Sequence, residues 1–123
     1  MQVLKTPEDC QRALEETPDC LLVFSASWCG PCQALKPHLQ KVASESMHVL
    51  YVDVDDVPEF ADEFKIKSVP TVLLRRQGQI VDFCKGSSPR ALYALVRTSL
   101  QTPTPYFGDL AQEEQSKGFG IVS

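Results

Sequence analysis

The sequence predicts an α/β domain with a central mixed sheet of four to five strands and helices on both faces. Three observations predict it. Cys20-Leu21-Leu22-Val23-Phe24 and residues 49–54 are short apolar runs of the kind that form strands buried on both faces, as in a parallel sheet. Stripes at helical spacing alternate with those runs along the chain. Two later strand-like runs flank Gln77-Gly78, which reads as a hairpin and so adds an antiparallel pair.

Residues 2–5 are a candidate extra edge strand. Thr6-Pro7-Glu8-Asp9 then opens a helix: Thr6 can cap, Pro7 suits the first helical position, and the acids complement the positive end of the dipole. Cys10, Ala13 and Leu14 share one face of it, and Thr17-Pro18-Asp19 ends it. After the first apolar run, Leu35, Leu39, Val42 and Ala43 mark a second helix from near Pro31 to around Ser46. Residues 49–54 form the second buried strand, and Pro58 opens a short helix that turns Phe60, Ala61 and Phe64 inward. Residues 71–74 and 79–84 are the hairpin strands. Ser88 caps and Pro89 opens a last helix with a stripe of Leu92, Leu95, Val96 and Leu100, which Thr102-Pro103-Thr104-Pro105 stops. The domain is thus residues 1–101. Residues 102–123, polar and Gly/Pro-containing, read as a flexible C-terminal tail.

A chain of 123 residues that is 43% hydrophobic can fill one core. Its net charge is −4, with Lys and Arg scattered, so it offers no electrostatic footprint for nucleic acid. The N-terminus lacks the long apolar run of a signal peptide, and no apolar stretch has the length to span a bilayer. The simplest expectation is a soluble cytoplasmic protein, a monomer that engages neither nucleic acid nor membrane.

There are five cysteines, an odd number, so they cannot all pair within one chain. Cys10, Cys20 and Cys84 fall inside helix or strand patterns and read as small apolar fillers. Cys84, near the end of the hairpin and close to Gly86, is the best placed of the three for a regulatory thiol.

Chemistry concentrates in Trp28-Cys29-Gly30-Pro31-Cys32, where a buried strand gives way to a helix. A sulfur at a helix start faces free backbone N–H groups and the positive dipole end, which favour the nucleophilic thiolate. Two intervening residues allow a small disulfide across the first turn. Gly30 supplies freedom there, and Pro31 gives up no needed hydrogen bond. A zinc site needs about four ligands, and no second C-x-x-C or His pair stands at matching spacing. His38 and His48 are single, read as a helix-surface and a strand-edge residue, so no metal is expected. A purely structural disulfide is unusual in a cytosolic protein, which leaves redox cycling as the preferred reading.

From Met1 to about Leu100 the chain resembles the thioredoxin family. The resemblance rests on Trp28-Cys29-Gly30-Pro31-Cys32 and on Ser68-Val69-Pro70-Thr71, which is similar to the family's cis-proline segment. Pro37, Phe24, Ala26, Asp53, Asp55 and Gly86 match in the same order. It implies the thioredoxin fold and a protein-disulfide reductase. Cys29 would be the exposed nucleophile and Cys32 the more buried resolving residue. Pro70, in cis, would place the Val69 backbone to pair with substrate, while Trp28, Gly30, Pro31 and Gly86 would form a flat apolar contact surface. Substrates would be disulfide-containing proteins, and a thioredoxin-reductase-like enzyme would recycle the domain. No cofactor is implied beyond the Cys29–Cys32 couple itself.

The sequence also departs from that family. Val23 stands where a buried Asp is usual, Tyr51 where the neighbouring strand often carries a charge, and Gln33 where Lys or Arg is common. Val23 removes both the cost of a buried carboxylate and its service as a base. The expected consequence is intact attack by Cys29 with slower resolution by Cys32. A second class of function stays open: a thioredoxin-like binding or adaptor module, redox-regulated, in which turnover is secondary.

Overall fold

A computed structural model describes residues 1–101, in which strands and helices alternate as expected. Along the chain they are β1 (Gln2–Leu4), α1 (Pro7–Glu16), β2 (Cys20–Ser25), α2 (Gly30–Glu45), β3 (Val49–Asp53), α3 (Pro58–Glu63), β4 (Thr71–Arg76), β5 (Gln79–Lys85) and α4 (Pro89–Gln101). The expected tail, residues 102–123, lies outside the described residues.

The five strands form one sheet in the order β1-β3-β2-β4-β5. β1 and β2 each pair with β3 in parallel, while β2–β4 and β4–β5 are antiparallel, so the sheet is mixed. The candidate edge strand is therefore real, and the upper of the two expected strand counts holds. Gln77 and Gly78 both take positive φ, 52° and 81°, as a two-residue hairpin turn between twisted strands requires.

Every residue of β2 is buried because β2 is central and covered on both faces. Cys20, Leu22 and Phe24 point to the side of α1 and α3, where they meet Leu4, Leu50, Val52 and Phe60. Leu21 and Val23 point to the side of α2 and α4, against Leu35, Leu39, Val72 and Leu92. On the first side the rings of Phe24, Phe60 and Phe64 pack with centroids 5.1–5.7 Å apart. β5 is the opposite case. It is an edge strand with Ile80, Val81 and Phe83 exposed.

Helix ends follow the capping residues. Thr6 Oγ1 accepts the Asp9 amide at 3.0 Å, and Ser88 Oγ accepts the Ala91 amide at 3.2 Å. The C-terminal end of α1 is closed by the Thr17 amide on the Ala13 carbonyl at 2.9 Å and tied from far away as well: Arg75 Nη1 donates to the carbonyls of Leu14 and Thr17, each at 2.9 Å. One expectation for α4 needs correction. Leu100 is 64% exposed, and the inward place belongs to Ser99. A stripe beginning at Leu92 and continuing through Leu95 and Val96 returns at the seventh residue, not the eighth. Ser99 is satisfied there by Arg76, whose Nη1 donates to its carbonyl at 2.8 Å and its hydroxyl at 3.1 Å.

The layout sets up one location above all. β2 and β3 run in parallel and end side by side, and the chain leaves β2 for α2 directly above their C-terminal ends. That crevice is where ligands approach open α/β sheets.

Candidate active site

Cys29 is the N-cap of α2, with an extended backbone, and its Sγ accepts the Cys32 amide at 3.2 Å. Ala26 O holds the Cys29 amide at 3.2 Å, which fixes the turn between strand and helix. Gly30 and Pro31 fill the first helical turn, and the cysteines are joined in a disulfide with Cα atoms 5.2 Å apart. When the pair is reduced, the amides at the head of α2 face the Cys29 sulfur and favour its anion.

Cys29 is more covered than the sequence suggested. Cys29 is only 5% exposed and Cys32 1%, so Cys29 is the more open of the two but not an exposed residue. The two cluster with Ala26, and Val54 and Val69 pack against that cluster, an apolar wall that a free-standing helix start would lack. Gly30 and Pro31 remain exposed beside them.

The Val69–Pro70 peptide is cis, and the Val69 carbonyl lies 3.8 Å from Cys29 Sγ. In the disulfide that sulfur carries no proton, so this is a contact and not a hydrogen bond. Pro70 itself is buried and so shapes the surface without forming it; Val69 is half-buried. The Pro70 carbonyl accepts the Gly86 amide at 2.9 Å, which ties the exit of β5 to the site. Gly86 has φ +87°, a conformation L side chains rarely adopt, although a Cβ there would meet nothing within 4 Å. Backbone conformation, not space, selects glycine here.

Trp28 is 68% exposed and shares a groove lining with Val54 and Val69, which pack against the cysteines. Its Nε1 donates to Asp55 Oδ2 at 2.8 Å. Asp53 organises the same corner, accepting the Ser27 amide on Oδ2 at 3.0 Å and the Asp55 amide on Oδ1 at 2.8 Å. Asp53 and Asp55 were visible in the sequence only as matching positions; an Asp-x-Asp at a strand end signals a turn, not an anchor for a tryptophan. Beside Trp28 runs a groove of about 330 Å³ lined by Val54, Ala61, Ile66, Lys67 and Val69. Gln33 is exposed at the start of α2, its Nε2 donating to Ala26 O at 3.2 Å.

The three remaining cysteines fit the filler reading in part. Cys10 and Cys20 are buried, and burial, the largest cause, pushes each thiol up to about 11. Carboxylates of Asp9, Glu59 and Glu63 add to the shift at Cys10, while the Arg75 guanidinium opposes it at Cys20. Cys84 is only half-buried, and burial and then Asp82 raise it too. Iodoacetamide at neutral pH should therefore alkylate the reduced protein first at Cys29, and reach Cys10 and Cys20 only in denaturant. Peptide mapping by mass spectrometry checks this; equal early labelling of Cys20 would contradict it.

His38 is not a plain surface residue: its Nδ1 lies 2.9 Å from Tyr93 Oη, joining α2 to α4. His48 is exposed just before β3, as expected. Val23 is fully buried and faces Tyr51 across the parallel pair. Tyr51 Oη is 2.7 Å from Ser25 Oγ, and Lys36 Nζ lies 5.3 Å from the Tyr51 ring centroid. Sequence reasoning singled out Tyr51 but missed Ser25 and Lys36.

Known proteins agree with this geometry. The family model described as Thioredoxin matches residues 2–98. Thioredoxin-2 of Pyricularia oryzae is 38% identical over 95 residues, which is 76% of this chain and 56% of that protein, so the match spans little more than half of that relative. Human thioredoxin is 37% identical over 90 residues, covering 70% of this chain and 86% of its own. The crystal structure of a poplar wild-type thioredoxin h superposes with a TM-score of 0.78 at 30% identity, over 83% of this chain and 97% of the poplar chain. The chain belongs to the thioredoxin family: it is a thioredoxin-type thiol–disulfide oxidoreductase, a protein-disulfide reductase, with Cys29 and Cys32 as its redox pair.

Proposed function

We propose that the chain is a monomeric reductase of protein disulfides in the cytoplasm, with Cys29 as attacking and Cys32 as resolving sulfur. The observation that carries this division of labour is the position of Cys29 Sγ. It caps α2, accepts the Cys32 amide at 3.2 Å and lies 3.8 Å from the Val69 carbonyl, on the more open side of the pair.

The Cys29 thiolate attacks one sulfur of a substrate disulfide. A Cys29–substrate bond forms, and the other substrate sulfur leaves with the electron pair and takes a proton. The Cys32 thiolate then attacks Cys29 Sγ, the Cys29–Cys32 bond closes, and the second substrate sulfur is released. Two electrons pass to the substrate. Trp28, Gly30, Pro31 and Gly86 provide the exposed contact surface, and the Val69 backbone beside Pro70 pairs with the substrate chain. A thioredoxin-reductase-like partner returns the two electrons. A disulfide already formed across the helix start favours turnover over a binding-only adaptor.

The test is the potential of the Cys29–Cys32 couple, equilibrated against glutathione. A reductase should lie near about −270 mV, while a value near about −120 mV would mark an oxidant and overturn the proposal.

A further inference from the structure

Resolution makes a demand that the residues assigned so far do not meet. Cys32 must lose its proton before it attacks, yet its sulfur sits in an apolar cluster with Ala26 and Cys29 against Val54 and Val69. Burial of that kind disfavours the charged form of a thiol; it pushes Cys10 and Cys20 up to about 11. Some polar group has to favour the Cys32 anion.

The inner face of α2 narrows the choice. Lys36 follows Cys32 by four residues, one helical turn on, and its ammonium lies over the Tyr51 ring of β3. Tyr51 Oη meets Ser25 Oγ at the end of β2, four residues before Cys29, and both side chains are buried. The buried cluster around them is apolar, with Val23 from β2, Val72 from β4, Leu35 from α2, and Leu92 and Leu95 from α4; the titratable side chains of Cys84 from β5 and Tyr93 from α4 pack half-buried against it. The nearby carboxylate, Asp53 at the end of β3, has one oxygen on the Ser27 amide and the other on the Asp55 amide. His38, further along α2, is joined to Tyr93. Two hydroxyls in one mutual hydrogen bond hold two protons and use one. The second is not used within the pair, and Ser25 adjoins Ala26, which packs in one cluster with Cys32.

We propose that the Ser25–Tyr51 hydroxyl pair, backed by the Lys36 ammonium, positions and stabilises the Cys32 thiolate in the resolving step. These are positioning residues. The Cys32 proton goes to water; the Cys32–Cys29 bond forms as the Cys29–substrate bond breaks, and the departing substrate sulfur takes a proton from water. The proposal rests on the roles given to Cys29 and Cys32 above.

One equivalent of 5,5′-dithiobis(2-nitrobenzoate), rapidly mixed with the reduced protein in a Cys84→Ser background, separates the steps. Attack by Cys29 releases the first coloured thiolate and resolution by Cys32 the second. Tyr51→Phe keeps the ring beneath Lys36 and deletes only the hydroxyl; Ser25→Ala deletes the other. Each should leave the first phase unchanged, move the pH midpoint of the second up by about one unit, and so slow it about tenfold below that midpoint. A second phase with wild-type rate and midpoint overturns the proposal. So does slowing with an unmoved midpoint, the mark of loosened packing. Should Tyr51→Phe fail to fold, Ser25→Ala and Lys36→Met decide by the same criteria. An error in the assigned roles shows separately, as a first phase that survives Cys29→Ser, and it overturns this proposal with them.

Discussion

Cys29→Ser should lower disulfide reduction by ~1000-fold or more, because a neutral hydroxyl replaces the group that forms the covalent intermediate. Insulin reduction driven by dithiothreitol reads this directly. Cys32→Ser should behave differently. Attack proceeds, but nothing within reach opens the Cys29–substrate bond, so the variant accumulates as a mixed disulfide. Intact mass under non-reducing conditions would show protein plus substrate, released by added thiol. The asymmetry follows from the geometry: Cys29 is the more open sulfur and contacts the Val69 carbonyl, whereas Cys32 is 1% exposed. Accumulation of a mixed disulfide at Cys32 in the Cys29→Ser variant would reverse the assignment.

Val23→Asp should have the largest effect on stability. The side chain is fully buried, with Tyr51 on one flank and Val72 on the other. A carboxylate confined there is poorly solvated, so its pKa rises above the unfolded value. The expected loss is about 3 kcal/mol at neutral pH, or roughly 12–24 °C in Tm for a domain of this size. Because the folded pKa is raised, the penalty is smallest below the unfolded pKa of about 4 and grows as pH rises through the folded one. Melting curves at pH 4 and pH 7 test both size and sign. A base so close to the site should also speed the second phase of thiolate release at neutral pH, and an unchanged Tm with an unchanged second phase would contradict both expectations.

How much of this was legible depends on how far apart the interacting residues lie in the chain. β2 and β3 announced themselves because a central strand must be apolar on both faces, and that leaves a continuous run. Gln77-Gly78 marked the hairpin because its turn needs positive φ at both positions. Trp28-Cys29-Gly30-Pro31-Cys32 was legible for the same reason: its chemistry is local to one helical turn. The Ser25–Tyr51 pair spans 26 residues and depends on the register that sets Val23 opposite Tyr51, so nothing in either local segment encodes it. The His38–Tyr93 contact, across 55 residues, was hidden likewise. The covering of Cys29 was missed because the wall against it comes from Val54 and Val69, on other segments of the chain.

Arg75 adds a long-range tie to the end of the first helix, where the Thr17 amide already closes the last turn on the Ala13 carbonyl. The guanidinium occupies carbonyls 61 and 58 positions earlier in the chain, so those two carbonyls gain their side-chain donor only when β4 has been laid down beside β2. A fragment that stops short of β4 would carry a helix with carbonyls at its tail left to water. Swapping the N-terminal half between related chains would keep these two hydrogen bonds only if the arginine travelled with it.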